Sequence, residues 1–328
     1  MSVKLNHDSY IKLKPSKKFE PTNPETCITS LDFDDSGQYL ISSLTSESIN
    51  LYDAYRGTYN KPIYSKKYGC HLARFTHQQK NCVYASTKED NTIRYLSLND
   101  NSYIRYFKGH KALVNSLEVS PRQNIFASAS LDDTFKIWDL RTSTAQFSLP
   151  SKHSSFVSFD PTGDVVAIAS QSRGIIDLKP IEMLHQLPCA SFEVPQGFNF
   201  NKVEFSNDNR YILVCSTNQN HLLLDSFDGN LVCELGPIIS IPGRSFPDTG
   251  NATFSPCGNF VFSGNGDGKI AVWDLTKKSE INDSLPKFLT PKFTLTGDVK
   301  PRMLSFNPKY LQLITADSQL TMWTPELD

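Results

Sequence analysis

A short pattern repeats seven times along this chain of 328 residues. Each copy has an apolar residue, a variable residue and an aromatic residue or valine, followed by a polar turn, as in Leu31-Asp32-Phe33 before the turn DDSG. The third residue of the pattern lies at 33, 75, 119, 159, 205, 254 and 306, so successive copies are 40 to 52 residues apart. A period of this size predicts an array of similar structural units.

The third copy shows what each unit contains. The segment LVNSLEV alternates with a period of two, which is the pattern of a half-buried strand. The turn SPRQN, a second apolar segment NIFASAS, the turn LDD and a third segment TFKIWDL follow it. Short strands separated by turns at this spacing predict an all-β fold.

The length of the copies and two dipeptides favour one all-β architecture. A copy of about 40–45 residues with four strands, Gly-His near its start and Trp-Asp at its end is the WD-repeat blade of a β-propeller. Copy three has Gly-His at 109–110 and Trp-Asp at 138–139. The seventh copy stops after its third strand, while a candidate strand at 10–20 has no copy of its own. We therefore expect a single seven-bladed propeller domain over 1–328, its last blade closed by the N-terminal strand.

The three tryptophans share one position of the repeat. In WD-repeat proteins, which these copies resemble, this Trp forms a hydrogen-bonded tetrad with a His, a Ser or Thr and an Asp, and a satisfied network of this kind stiffens a blade. The resemblance implies such contacts in copies three, six and seven. The predicted members are His110, Ser130, Asp132, Trp138, Asp267, Trp273, Asp317 and Trp323. Copies one, four and five are expected to place Tyr52, Ile176 and Leu224 at the Trp position.

The composition argues against several functional classes. Lys and Arg number 33 and Asp and Glu 34, a formal net charge of −1, which disfavours a strongly basic nucleic-acid-binding protein. The seven cysteines form no CxxC pair, so neither a disulfide framework nor a zinc site is indicated. No apolar run exceeds five residues, which disfavours a membrane-spanning helix. Since no nucleophile, phosphate-loop or metal motif is found, we predict no catalytic residue, no metal and no cofactor.

Basic residues are enriched in the loops expected at one face of the ring. This top face is formed by the loops that join one blade to the next and by those between the second and third strands of a blade. Its basic residues are Lys66, Lys67, Lys88, Lys111, Lys152, Arg173, Arg244, Lys300 and Arg302. They fit either an ordinary solvated surface or a face that binds acidic or phosphorylated peptides. The predicted partner-binding residues are Lys66, Lys67, Tyr68 and Lys111.

Several segments beyond the generic repeat resemble one WD-repeat subfamily. They include SKKYG at 65–69, TIRYLSL at 92–98, YIRYFKGH at 103–110 and the ending MWTP. Over nearly its whole length the chain is similar to the WD-repeat subunit of COMPASS, the SET-domain histone lysine methyltransferase complex, in its fungal, Swd-two form. Copy four departs from the pattern, because QSRGIIDLKPIEMLHQLP is shorter and more irregular than expected.

The resemblance implies a non-catalytic scaffold subunit in the nucleus. The implied partners are an N-terminal segment of the SET-domain methyltransferase subunit, other COMPASS subunits and, in fungi, subunits of the mRNA cleavage and polyadenylation factor. It further implies support for lysine-4 methylation of histone three, for transcription termination and RNA 3′-end processing, and an association with the phosphorylated RNA polymerase II tail. It implies no direct sequence-specific contact with nucleic acid and no contact with a membrane.

Two other classes of protein also use propellers. A substrate receptor of a ubiquitin ligase, the alternative interpretation, usually carries an adaptor motif or an appended helical domain, and we find neither in the sequence. An enzyme built on a propeller would need a site that the motifs do not provide.

Overall fold

Seven β-sheets make up the molecule. The computed structural model describes residues 7–21, 23–150, 155–195, 197–243, 249–276, 287–297 and 301–326. These ranges also hold two short helical segments, the helix α1 (His7–Ile11) and the 3-10 turn η1 (Ile181–Met183). Within the same ranges, neither segment has the length and apolar character needed to cross a bilayer.

Each sheet is a blade with four antiparallel strands, running from an inner first strand to an outer fourth strand, and the sheet of blade five has one strand more. Blade one has β2 (Ile28–Phe33), β3 (Tyr39–Leu44), β4 (Ser48–Asp53) and β5 (Thr58–Tyr64). Blade two has β6 (His71–Phe75), β7 (Asn81–Ala85), β8 (Ile93–Ser97) and β9 (Ser102–Phe107). Blade three has β10 (Val114–Val119), β11 (Ile125–Ser130), β12 (Thr134–Asp139) and β13 (Ala145–Pro150). Blade four has β14 (Ser155–Phe159), β15 (Val165–Ser170), β16 (Ile175–Pro180) and β17 (Ala190–Glu193).

The later blades include strands that are distant in sequence. Blade five has β18 (Lys202–Phe205), β19 (Tyr211–Cys215), β20 (His221–Asp225) and β21 (Leu231–Leu235), and β25 (Phe288–Leu289) adds a fifth strand parallel to β21. Blade six has β22 (Ala252–Phe254), β23 (Phe260–Gly264), β24 (Ile270–Asp274) and β26 (Phe293–Leu295). Blade seven has β27 (Met303–Phe306), β28 (Leu313–Ala316), β29 (Leu320–Pro325) and, as its outer strand, β1 (Leu13–Phe19).

This arrangement confirms the predicted all-β, seven-bladed WD-repeat propeller. All seven anchor residues of the sequence pattern are the last residues of the first strands, from Phe33 in β2 to Phe306 in β27. The predicted closing strand is also present, because β1 pairs antiparallel with β29 from Leu13 opposite Pro325 to Phe19 opposite Leu320. It is shorter than the predicted 10–20, since Tyr10 belongs to α1.

The core lies between the blades. The described residues form seven apolar clusters, and each cluster joins the facing sheets of two neighbouring blades. Tyr10 shows how the chain before β1 takes part: it is fully buried, and its ring centroid lies 4.8 Å from that of Phe260 in blade six and 5.7 Å from that of Phe306 in blade seven. Burying an apolar side chain of this size contributes about 1.5–3 kcal/mol, so the contacts between blades stabilise the ring.

Candidate protein-interaction face

A buried hydrogen-bond network connects the strands of blade three. Trp138 Nε1 donates to Ser128 Oγ at 2.8 Å, and His110 Nε2 lies 2.7 Å from the same hydroxyl. On the other side of the ring, His110 Nδ1 lies 3.1 Å from Asp132 Oδ2, which also accepts the Lys111 N–H at 2.7 Å. One proton order satisfies every member: Ser128 donates to Nε2, and a neutral His110 donates from Nδ1 to Asp132.

Burial and hydrogen bonding set the charges of this network. Burial lowers the pKa of His110, although the Asp132 carboxylate opposes this effect. Burial raises the pKa of Asp132, but hydrogen bonds from Thr134, the Lys111 N–H and His110 outweigh it, and the pKa is lowered overall. The histidine is therefore neutral and the aspartate charged at pH 7.

The serine of this network is Ser128, and the prediction of Ser130 was wrong. Strand neighbours point to opposite faces, and positions 128 and 130 share a face but lie at different heights along β11. Trp138 pairs with Phe126, so its indole N–H lies closer along the strand to Ser128 than to Ser130. Ser130 Oγ instead donates to the Ala112 carbonyl at 2.9 Å and accepts the Asp132 N–H at 3.1 Å, so it shapes the turn after β11.

Trp273 and Trp323 are fully buried but have other partners. Trp273 Nε1 donates to the Leu289 carbonyl at 3.0 Å, and Trp323 Nε1 donates to Thr315 Oγ1 at 2.9 Å. Asp267 bonds within its own turn: its carboxylate accepts the backbone N–H of Lys269 at 3.1 Å and pairs with the Lys269 ammonium at 3.3 Å. The structure therefore does not bring Asp267 into a tetrad with Trp273.

The position of Asp317 differs from that of Asp132 for a geometric reason. Leu313 pairs with Trp323, as Phe126 pairs with Trp138, but the intervening hairpin is two residues shorter in blade seven. Six residues before the tryptophan are Asp132 in blade three and Asp317 in blade seven, but these two residues do not occupy equivalent positions. Asp317 follows Leu313 by four residues, as Ser130 follows Phe126, so Asp317 corresponds to Ser130.

Strand register also shows which residues replace tryptophan elsewhere. Tyr52 pairs with Leu40 and Leu224 with Ile212, so these two residues occupy the Trp position as expected. In blade four, however, Val166 pairs with Lys179, so Lys179 and not Ile176 stands there. Lys179 is buried, and its ammonium donates to the carbonyl of Leu184 at 3.1 Å and to that of Gln186. The charge is thereby satisfied by the loop that follows β16.

One of the predicted partner-binding residues near blade two, Tyr68, packs against a buried arginine. Lys66 and Lys67 are exposed in the loop that joins β5 to β6, and Tyr68 is half-buried. The guanidinium of Arg94, which is 2% exposed, stacks 3.6 Å from the Tyr68 ring centroid and pairs with Asp90 at 2.9 Å. Lys67 Nζ lies 5.2 Å from the same ring on Tyr68. Tyr68 thus packs against the buried Arg94 on one side and against the exposed Lys67, and the sequence analysis did not identify Arg94 as part of this surface.

The other basic residues of the top face that lie within the described ranges do not form one cluster. Lys111 is exposed, and its backbone is fixed by the N–H bond to Asp132 in blade three. Lys88 pairs with Glu47, and Arg173 pairs with Asp177 at 2.9 Å. Arg302 is buried and donates to the Pro242 carbonyl at 2.5 Å. Lys152, Arg244 and Lys300 lie outside the described residues.

A ring of polar side chains lines the central channel, where a cavity has a volume of about 370 Å³. Each is the variable residue of the repeated pattern, and three carboxylates accept a backbone N–H from the next blade. The bonds join Asp32 to the Phe75 N–H at 2.7 Å, Glu118 to the Phe159 N–H at 3.3 Å, and Glu204 to the Phe254 N–H at 3.2 Å. The sequence signal for this ring was available, because the variable position is charged or hydroxylated in all seven copies.

For two of the three channel carboxylates, burial disfavours the charged form. Burial raises the pKa of Asp32 to about 6 and that of Glu118 to about 7, although Arg74 opposes both shifts. Lys202 pairs with Glu204 at 2.5 Å and also donates to the Ala252 carbonyl. Among the described residues, no group of three or more His, Cys, Asp and Glu side chains is placed to hold a metal ion. We assign the ring to contacts between blades.

The chain is similar to known proteins along its whole length. The family described as WD domain, G-beta repeat matches residues 101–139 and 250–274. "COMPASS component SWD2" of Saccharomyces cerevisiae is 36% identical over 325 residues, which cover 98% of this chain and 98% of that protein. The chain belongs to the SWD2 family of WD-repeat proteins. The predicted resemblance is therefore confirmed.

Two further relatives of the SWD2 family match as fully. "Set1 complex component swd2" of Schizosaccharomyces pombe is 32% identical over 98% of this chain and 99% of that protein. "WD repeat-containing protein 82" of Drosophila melanogaster is 33% identical over 99% of this chain and 98% of that protein. The similarity thus extends over all seven blades and is not limited to the generic WD signature.

In this SWD2-family propeller, the side chains that most resemble catalytic groups hold strands together. Both ring nitrogens of His110 and the carboxylate of Asp132 are already bonded within blade three. The chemistry left at the surface around Tyr68 is that of exposed ammonium groups beside an aromatic ring. Such a surface binds carboxylates or phosphates and aromatic or apolar side chains.

Proposed function

We propose that this protein is a non-catalytic WD-repeat scaffold subunit of a COMPASS-type methyltransferase complex that modifies lysine 4 of histone three. The observation that carries the proposal is the 36% identity, over 98% of both chains, to a protein named as a COMPASS component. A second relative of equal coverage is named as a Set1 complex component. The chain's use of its polar residues for contacts within and between blades supports a binding role.

The finer parts of the proposal follow from the same resemblance. The protein binds an N-terminal segment of the SET-domain methyltransferase subunit, works in the nucleus and, in a fungal setting, also joins the mRNA cleavage and polyadenylation factor. Through the second complex it supports transcription termination and RNA 3′-end processing.

Affinity purification of the tagged protein followed by mass spectrometry tests this proposal. We expect recovery of the SET-domain methyltransferase and other COMPASS subunits, with cleavage and polyadenylation subunits in a separable pool. Depletion of the protein should lower lysine-4 methylation of histone three on immunoblots. Recovery of cullin-type ligase components without a methyltransferase would contradict the proposal and favour a ubiquitin-ligase receptor.

The loop that joins β5 to β6, with Lys66, Lys67 and Tyr68, is the proposed binding site for the phosphorylated RNA polymerase II tail. An exposed ion pair contributes only about 0.2–1 kcal/mol, so recognition needs both Lys66 and Lys67 together with the Tyr68 ring. Lys66→Glu with Lys67→Glu should weaken binding of a phosphorylated tail peptide at least tenfold, or about 1.4 kcal/mol.

A matched control is available on the outer strand of blade seven. Lys17 and Lys18 are adjacent, exposed lysines, so changing both to Glu alters the net charge equally at another place. The control variant should bind the phosphopeptide like the wild type in a fluorescence titration. Equal affinity in both double variants, or no preference for the phosphorylated peptide, would remove this loop as the binding site.

A further inference from the structure

The outer strand of a four-stranded blade has a neighbouring strand on one side only, so its other side is an edge of backbone groups that no strand pairs with. Such an edge is a template for pairing with another extended chain, and natural proteins blunt it with proline, lysine, short length or a cover. In this molecule the outer edge of blade five already has an added strand, because β25 pairs in parallel with β21 from Glu234 opposite Phe288 to Leu235 opposite Leu289. The outer edge of a blade in this fold therefore accepts a fifth strand.

Most of the other outer strands are blunted. β1 contains Pro15 and three lysines, and β5 contains Lys61 and Pro62. β17 and β26 have only four and three residues. β13 has six residues, but its exposed side chains are Gln146, Ser148 and the terminal proline, which offer little apolar surface. Blade two is the exception.

Strand β9 of blade two has the composition of an unprotected edge. Its sequence is SYIRYF, six residues with neither proline nor lysine. Ile104 and Tyr106 are each 42% exposed, two large apolar side chains on one outer strand. The one charged residue of β9, Arg105, is half-buried, and its guanidinium donates to the Leu140 carbonyl of blade three. An edge of this length with exposed apolar side chains favours pairing with an extended segment whose alternate side chains are apolar.

The charges near the C-terminal end of β9 indicate which charge a pairing segment should have. The Tyr106 ring centroid lies 5.8 Å from the Arg94 guanidinium, which stacks on Tyr68. Lys67 lies over Tyr68, and Lys108 follows β9 directly and is exposed. Because Asp90 pairs with Arg94, the cations that this end of the strand offers to a partner are Lys67 and Lys108, which complement acidic residues.

We propose that the outer edge of β9 takes an added strand from a partner protein, an extended segment with alternating apolar residues and an acidic end that meets Lys67 and Lys108. The inference rests on the proposed scaffold function, and it names the place and the chemistry of one partner contact. Backbone hydrogen bonds to β9 hold the segment, Ile104 and Tyr106 contact its apolar side chains, and the lysines select its acidic end.

The test uses synthetic peptides, so that it does not depend on the identity of the methyltransferase partner. Each peptide has about six residues in which Val or Tyr alternates with Thr, the length of β9. A run of either acidic or basic residues is attached to one end or the other. Fluorescence titration with the full chain measures affinity, and hydrogen–deuterium exchange locates the contact.

We expect an acidic-ended peptide to bind at least tenfold more tightly than its basic-ended counterpart and to protect the amides of 102–107 from exchange. Ile104→Lys should weaken this binding at least tenfold, because it places a charge at the edge. Gln146→Lys, the same kind of change on β13, should leave affinity unchanged. Thermal melts of both variants show whether each is folded, and exchange protection in the wild type provides a readout that needs no variant.

Three results of the peptide experiments would overturn the proposal. They are binding by none of the peptides, protection confined to residues outside β9, and equal affinity in wild type and Ile104→Lys. A dimer detected by light scattering and dissolved by Ile104→Lys would also overturn it, because the edge would then serve a second copy of this chain. Failure of the scaffold function is recognised separately, by affinity purification without methyltransferase subunits.

Discussion

A double-mutant cycle can identify the serine of the blade-three network. In Ser128→Ala, the indole N–H of Trp138 and the Nε2 atom of His110 both lose their hydrogen-bond partner inside the blade. Leaving one buried polar group without a partner costs about 1–3 kcal/mol, so the loss for two groups is about 2–6 kcal/mol of unfolding free energy. For a chain of 328 residues unfolding in one transition, this lowers the melting temperature by about 3–9 °C.

The cycle combines this change with Trp138→Phe, which keeps a buried ring and removes only the N–H donor and part of the ring volume. Once the donor is absent, Ser128→Ala no longer leaves an indole N–H unsatisfied, so the two changes should couple by about 1 kcal/mol or more. Ser130→Ala is the matched control, because Ser130 bonds to the Ala112 carbonyl and the Asp132 N–H. Its effect should add to that of Trp138→Phe within about 0.5 kcal/mol.

Urea denaturation followed by far-ultraviolet circular dichroism measures the four free energies of each cycle. Tryptophan fluorescence is unsuitable, because Trp138→Phe removes one of the three tryptophans and so changes the signal itself. A coupling for Ser128 no larger than the coupling for Ser130 would refute the assignment of Ser128 to the network.

Three further predictions concern other parts of the ring. Lys179→Met should lower the unfolding free energy by about 1.5–3 kcal/mol and speed amide exchange in the loop after β16, because two carbonyls lose a charged donor. An unchanged denaturation midpoint would contradict this. Asp32→Asn should raise the melting temperature at pH 8 and raise it much less at pH 4. The folded-state pKa of Asp32 is about 6 and its ordinary value is 3.8, so the charged carboxylate lowers the stability of the wild type progressively as the pH rises between these values. Equal effects of the substitution at both pH values would contradict this. Deletion of residues 1–20 should increase proteolysis and aggregation, because β29 loses its partner strand and becomes an exposed edge; a soluble, monomeric and equally resistant truncated protein would argue against closure by β1.

The fold could be predicted because its signal is repeated. Seven copies of one pattern end at the last residue of seven first strands, and an error in one copy does not alter the period. The closing strand was predictable for a similar reason, since the repeat left one segment too many before Phe33 and one strand too few after Trp323. Repetition fixes the order of strands because each blade must bury its faces against its neighbours.

Individual contacts were less predictable, because they depend on register and on the lengths of turns. Ser128 and Ser130 have the same residue type, and only the height of the Trp138 ring along the blade distinguishes them. Ile176 was expected at the Trp position because it is apolar, whereas Lys179 occupies it with its charge satisfied by carbonyls from a loop with no repeat pattern. Sequence periodicity gives no information about partners of that kind.

The pairing of β1 with β29 also has a consequence for the order of events during synthesis. Ser16 donates to the Met322 carbonyl across 306 residues of chain. At about 5–20 residues per second on the ribosome, β1 is made roughly 15–60 s before its partner exists. Blades one to four consist of consecutive strands and are able to form as they emerge, whereas blade seven is completed last. The proline and lysines of β1 then have a second use, because they keep the waiting strand from pairing with a wrong edge during that interval.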